Sequence, residues 1–188
     1  MNIYDFDKTI YRGDSSIDFF LYCLKRRPRI IKYLPKQVLY TFLYALKKVS
    51  IEEYKSTFFS FLNALDNTDK YVDAFWQKNR EKIKPWYLSQ KLSSDLIISA
   101  SPYFLLEPIC RQLNVDTVIA TDMNKHNAEI NGKNCKGKEK VNRLFANYPN
   151  AEIESFYSDS TSDAPLAKLA KHAFIVQNNE IIPWVFSN

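Results

Sequence analysis

The sequence predicts an α/β fold: a Rossmann-like parallel sheet core with helices on both faces, and a helical cap inserted after strand one. Three observations carry this. Short apolar runs alternate with helical patterns from residue 95 onward, the signature of strands joined by crossover helices. Residues 15–92 read as helix throughout. A lone apolar run, "IYDFD" (3–7), stands before that block and supplies the missing first strand. The expected division is a core of residues 1–13 and 91–188, with residues 14–90 as the cap.

Each element has a local reason. "SSIDFFLYCLKRR" opens on a capping serine, Ser15 or Ser16, and repeats its apolar positions at three and four. Pro28 and Pro35 punctuate the next stretch of chain. "SIEEYKSTFFSFLNAL" (50–65) carries Ser50 with Glu53 three residues later, a capping box. "TDKYVDAFWQKNREKIK" (68–84) is amphipathic and stops before Pro85. The strands are "DLIISAS" (95–101), "DTVIATD" (116–122), "IESFYSD" (153–159) and "HAFIVQ" (172–177). Between them lie the helices "PYFLLEPICRQL" (102–113), "KEKVNRLFANY" (138–148) and "SDAPLAKLA" (162–170).

Composition excludes several classes. With 188 residues, 46% hydrophobic and 25% charged, the chain suits one globular domain carrying a subdomain. Three glycines leave no glycine-rich phosphate loop, so a phosphate site must come from side chains and helix N-termini. Cys23, Cys110 and Cys135 are odd in number and far apart. That argues against a disulfide framework or structural zinc and suits buried thiols in a reducing cytoplasm. The start of the chain shows no basic region followed by an apolar run, so no secretion signal is expected. The longest nearly apolar run, residues 37–46, is too short for a bilayer, which takes ~20 residues.

Charge is uneven. Residues 14–90 carry a balance of +6 and the rest −1, and residues 24–48 hold eight basic residues and no acidic one. Such a stretch is either a solvated helix face or a surface that meets an anion.

Ligands of open parallel sheets sit at the carboxyl ends of the strands. Polar groups gather at four of these ends: Asp5 and Asp7, Ser99 and Ser101, Thr121 and Asp122, Asp159 and Asp163. Asp5 and Asp7 share a direction if the extended backbone persists through Asp7. Carboxylates forced together need a cation, and a hard, oxygen-seeking Mg²⁺ is the simplest.

"DFDKT" (5–9) resembles the D-x-D-x-T first motif of the haloacid dehalogenase superfamily of phosphohydrolases. "LIISAS" (96–101), "KGKEKV" (136–141) and "FYSDSTSD" (156–163) resemble its second, third and fourth motifs, in order along nearly the whole chain. Alone, each string is also explained by a turn, a strand end, a solvated lysine or a helix cap; four in order on alternating strands are not. A helical cap after the first motif resembles the phosphoserine-phosphatase-like branch. "NCKGKEKV" and "YSDSTSDAPL" look especially like bacterial phosphatases of that branch, some of which act on phosphatidylglycerophosphate.

The resemblance implies a Mg²⁺-dependent phosphomonoesterase. Asp5 would be the nucleophile and Asp7 the general acid and base. Mg²⁺ would be held by Asp5, the Asp7 backbone carbonyl, Asp159 and Asp163. Ser99 would donate to the phosphoryl group, helped by backbone N–H groups near Ala100 and Ser101, and a lysine would offset its charge. Lys136, Lys138 and Lys140 are all candidates for that lysine; the resemblance of "NCKGKEKV" favours Lys140. Ser158 stands where many relatives have glycine, which is tolerable if φ there is negative. Asp14 lies where phosphoserine phosphatases have an acidic residue near substrate, and it equally suits a helix N-cap. Asp14 and Ser101 are therefore expected to line the substrate side. The cap stretch 51–65 has no arginine to hold a carboxylate, which counts against phosphoserine.

The expected substrate is a phosphorylated small molecule or a lipid phosphate. The expected location is cytoplasmic, with peripheral contact to anionic membrane through the basic cap and no nucleic acid partner. Two other classes fit less well. A non-catalytic membrane- or anion-binding module has no need of Asp7, and a response-regulator-like phosphoacceptor has no need of a cap.

Overall fold

The computed structural model describes residues 1–186. Strand β1 (Asn2–Tyr4) is followed by five helices, α1 (Ser15–Arg26), α2 (Leu34–Ala45), α3 (Ile51–Phe59), α4 (Thr68–Asn79) and α5 (Pro85–Gln90). The chain then alternates: β2 (Leu96–Pro102), α6 (Tyr103–Gln112), β3 (Thr117–Thr121), α7 (Lys138–Asn147), β4 (Ile153–Ser158), α8 (Ala164–Ala167) and β5 (Ala170–Gln177), ending in β6 (Glu180–Pro183). The sheet order is β3-β2-β1-β4-β5-β6, parallel throughout except for the β5–β6 pair. Strand order reverses at β1, which puts its carboxyl end at the switch point where such sheets bind ligands.

Burial on both faces explains the continuous apolar strands. Ile3, Leu96, Ile98 and Phe156 pack beneath α7 and α8 with Leu144 and Leu166. Their neighbours Tyr4 and Ile97 point the other way, toward α6 and the inserted helices. On that second face Tyr4, Tyr157 and Phe174, in register on β1, β4 and β5, stack at 4.7 and 4.9 Å.

The helical block leaves and re-enters the core through paired backbone: Arg12 N–H donates to the Lys82 carbonyl and Lys84 N–H to that of Ile10, at 2.9 and 2.8 Å. It is also fastened to α6, where buried Trp76 Nε1 donates to the Leu105 carbonyl at 2.6 Å. Ser50 and Glu53 form the expected capping box.

Three local readings change. The cap of α1 is Asp14, whose Oδ1 accepts from the N–H groups of Ser16 and Ile17, both at 3.0 Å; Ser15 and Ser16 instead turn their hydroxyls to Ser101. Strand β1 ends at Tyr4, although Asp5 N–H still pairs with the Tyr157 carbonyl at 2.8 Å. The edge strand β6 lies outside the anticipated elements. It returns through a turn at Asn178 with φ 56°, a conformation that asparagine tolerates.

Candidate active site

The carboxyl ends of β1, β2 and β4 converge beneath α1 and α3 on a cavity of about 330 Å³. Its floor is an ionic cluster. Lys140, 1% exposed, donates from Nζ to Asp5 Oδ1 at 2.8 Å and to Asp163 Oδ2 at 2.6 Å. Asp163 precedes α8 but its side chain does not cap that helix; Oδ2 also accepts from Ser158 Oγ at 2.8 Å, and Oδ1 is buried with no hydrogen-bond partner. Ser158 in turn accepts from Ser160 N–H at 3.1 Å, and its φ is not in the positive region, so serine there carries no backbone strain.

Local structure sets each of these side chains. Gly137, at φ 56°, precedes α7 where an added Cβ would lie 3.1 Å from the Ser162 carbonyl oxygen. Glycine therefore lets the start of α7, which bears Lys140, approach the turn bearing Asp163. Thr9 is fully buried, and its Oγ1 accepts from Asp159 N–H at 2.9 Å, tying the turn after β1 to the end of β4. Buried Lys84 donates to the carbonyls of Lys8 and Asn178, so the chain returning from the helical block pins the same turn.

Asp7 faces the cavity from a separate set of contacts. Ser15 N–H donates to Oδ1 at 2.6 Å and Ser101 Oγ donates to Oδ2. Ser99 Oγ accepts from Ser101 N–H at 3.2 Å, which leaves its own hydroxyl proton for the cavity it lines. Burial pushes Asp5 up to about 7 against the opposing pull of Lys140, and burial plus the nearby Asp14 pushes Asp7 up to about 6. Burial also raises Asp159, with Lys8 opposing. Lys140 is raised despite its burial, because Asp5 and Asp163 hold its proton.

Asp5, Asp7, Asp14, Ser99, Ser101, Lys140, Asp159 and Asp163 all line this one cavity, whereas Thr121 and Asp122, the polar pair at the end of β3, lie outside it. Among the three lysines, Lys140 reaches the carboxylates, Lys136 lies exposed on the rim, and Lys138 is exposed away from it. Asp14 both lines the cavity and caps α1.

Lys55 was not anticipated. It projects from α3 across to the core, donating to the Ala100 carbonyl at 2.6 Å and Asn134 Oδ1 at 2.8 Å. Burial lowers its ammonium to about 8. Asn134 is itself placed by Glu52, whose Oε1 accepts from its N–H at 2.9 Å. The amphipathic pattern of α3 marks Lys55 as one polar helix residue among several. Its role depends on how the helix lies over the sheet.

The donor set fits a hard cation in character. Oxygen ligands suit Mg²⁺, and the orphaned Asp163 oxygen is a buried acceptor awaiting a partner. Among the described residues no three His, Cys, Asp or Glu side chains converge as a cluster able to hold a metal on their own. A cation here would draw on backbone carbonyl and water as well, as Mg²⁺ commonly does.

Buried carboxylates balanced by one lysine at the switch point of a parallel sheet define an α/β protein with an acidic pocket at its strand ends. Residues 3–168 match the haloacid dehalogenase-like hydrolase family, and the chain belongs to it. It is 31% identical to Protein CicA of Caulobacter vibrioides over 81 residues, which span 40% of this chain and 36% of CicA. The fold is similar to that of a protein of unknown function from Bordetella pertussis Tohama I, with a TM-score of 0.74 and 19% identity, covering 92% of this chain and 87% of that one. It is also similar to a phosphoserine phosphohydrolase-like protein from Francisella tularensis, with a TM-score of 0.57 and 17% identity over 92% and 86% of the two chains.

Proposed function

We propose that this protein is a Mg²⁺-dependent phosphomonoesterase that works through an aspartyl-phosphate on Asp5. The observation that carries the reading is the Asp5–Lys140–Asp163 cluster opening into a cavity on whose wall Asp7 is separately held. One oxygen of Asp5 is engaged by Lys140, and the other is free to attack phosphorus in line. The P–O bond to the leaving group breaks, and Asp7, whose carboxyl is pushed up by burial and by the nearby Asp14, gives its proton to the departing oxygen. Asp7 then takes a proton from water as that water attacks phosphorus. The bond from phosphorus to Asp5 breaks, inorganic phosphate leaves, and Asp5 is regenerated.

Ser99 and the Lys140 ammonium offset the charge on the phosphoryl oxygens. Asp5, Asp159, Asp163 and the Asp7 carbonyl would hold Mg²⁺. When bound, that ion supplies further neutralisation of two like-charged reactants.

The test is turnover of p-nitrophenyl phosphate. Hydrolysis is expected with Mg²⁺, falling to background with EDTA and returning on Mg²⁺ addition. Phosphate binding without turnover would instead support the non-catalytic reading.

The helical block, taken as a cap over residues 14–90, would choose the substrate. Ile17, Ile51, Tyr54 and Phe58 give the cavity an apolar wall, and Lys55 adds one cation. This suits a phosphate ester with an apolar portion and a second polar or anionic group, drawn from soluble metabolites or lipid phosphates. Lys55→Met is then expected to raise KM for the preferred ester by about tenfold to a hundredfold, the range for a lost hydrogen bond to a charged group. kcat for p-nitrophenyl phosphate, which lacks that group, should stay within a few-fold. Equal losses on both esters would make Lys55 a structural strut.

A further inference from the structure

Helix α2 is built inside out. Its one buried residue is the polar Gln37, whose Nε2 donates to the Phe58 carbonyl at 2.8 Å. Val38, Leu39 and Phe42 are 60%, 53% and 61% exposed, and Ile31 in the preceding turn is 59% exposed. A surface helix ordinarily does the reverse. Leu34, Val38, Phe42 and Leu46 recur every fourth residue and are all exposed, so they form one stripe along the helix. Arg29, Lys32, Lys36, Lys47 and Lys48 flank it, and no acidic residue lies between 24 and 48.

We propose that this surface docks onto an anionic lipid bilayer. The apolar stripe would enter the boundary between headgroups and acyl chains, while the flanking lysines and arginines meet lipid phosphates. Charge decides between a bilayer and a second copy of the chain. Two copies meeting through this face would set the five flanking cations of one against the five of the other, with no acid between residues 24 and 48 to offset them. A bilayer supplies both the apolar phase and the opposite charge. The surface also adjoins the acidic cavity: Tyr44 stacks on Tyr54 at 5.0 Å, and Tyr54 lines the cavity wall. Docking does not rest on the catalytic reading, although it would bring that cavity close to lipid.

The experiment is co-sedimentation of the full chain with vesicles of phosphatidylcholine alone or mixed with phosphatidylglycerol. Binding to the mixed vesicles is expected to exceed that to neutral ones by at least about tenfold and to fade as salt shortens the Debye length. Val38→Ser/Leu39→Ser/Phe42→Ser and, separately, Arg29→Glu/Lys32→Glu/Lys36→Glu should each abolish binding. Both triple variants should keep the thermal midpoint, because the replaced side chains face solvent, and both should keep wild-type turnover of p-nitrophenyl phosphate. Absence of wild-type binding at low salt, equal binding to both vesicle types, or full binding by the charge-reversed variant would overturn the proposal. So would a wild-type dimer in sedimentation equilibrium that the apolar-to-serine variant abolishes, which would assign the stripe to a second copy. Vesicle binding without any phosphatase turnover would leave docking standing and remove the catalytic reading alone.

Discussion

Asp5→Asn is expected to abolish phosphatase turnover, with a loss of at least about a thousandfold, as for removal of a covalent nucleophile, while the fold survives. The amide keeps the shape of the carboxylate, and its oxygen can still accept from Lys140 Nζ, which lies 2.8 Å from Asp5 Oδ1. What it lacks is a nucleophilic oxygen. Burial already works against the charged form of Asp5, holding it up to about 7. A carboxyl raised in this way contributes most stability when protonated, and that contribution is lost as pH rises from the ordinary carboxylate range through 7. A neutral amide escapes this loss. Without added metal, the thermal midpoint of Asp5→Asn at pH 7 should therefore match or exceed that of wild type. Turnover above a hundredth of wild type in a correctly folded variant would sink the covalent mechanism.

Sequence patterns carried the framework of this site because its chemistry is tied to strand ends. Asp5 and Asp7 follow β1, Ser99 and Ser101 lie in β2, and Asp159 follows β4, so reading the strands also located the carboxylates. Patterns were weaker wherever tertiary packing decides. Lys136, Lys138 and Lys140 share one charge and one short stretch; only the pitch of α7 turns Lys140 inward onto Asp5. Asp14 proved to be a helix cap and a cavity wall at once, two roles that a single residue letter does not separate. Lys55 was hidden because its partners, Ala100 and Asn134, lie 45 and 79 residues away.

The apolar residues of α2 show the opposite difficulty. Their periodicity reads as a helix with a core-facing stripe, since periodicity reports that a face is apolar and not which way it turns. Here the neighbouring α3 receives Gln37 in place of Val38 or Phe42. Strand β6 escaped for a local reason: "IIP" is short, ends in proline and follows "NNE", which scores as loop more readily than as an edge strand.

Lys140→Met should be damaging in two measurable ways. Lys140 is the one cation within hydrogen-bond reach of both Asp5 and Asp163 among the described residues, and it is as buried as the aromatic core. Methionine fills similar volume but leaves two carboxylates facing each other, one of them with an oxygen that is already unpartnered. Breaking a buried ion pair from one side costs about 3–5 kcal/mol, which denaturant unfolding without metal would read directly. Turnover should fall by about a hundredfold to a thousandfold, the usual cost of removing one preorganised electrostatic contact to a reacting centre. Lys136→Met and Lys138→Met provide the contrast. Neither side chain reaches the buried carboxylates, so each variant should stay within about 0.5 kcal/mol of wild-type stability, and within a few-fold of its activity. The instability and the lost turnover should also separate: saturating Mg²⁺ can neutralise the orphaned carboxylates and restore much of the stability, but it cannot place a positive charge where Nζ meets Asp5. If Lys136→Met proved the more damaging change to turnover, the lysine of the third motif would have to be moved to the rim of the cavity.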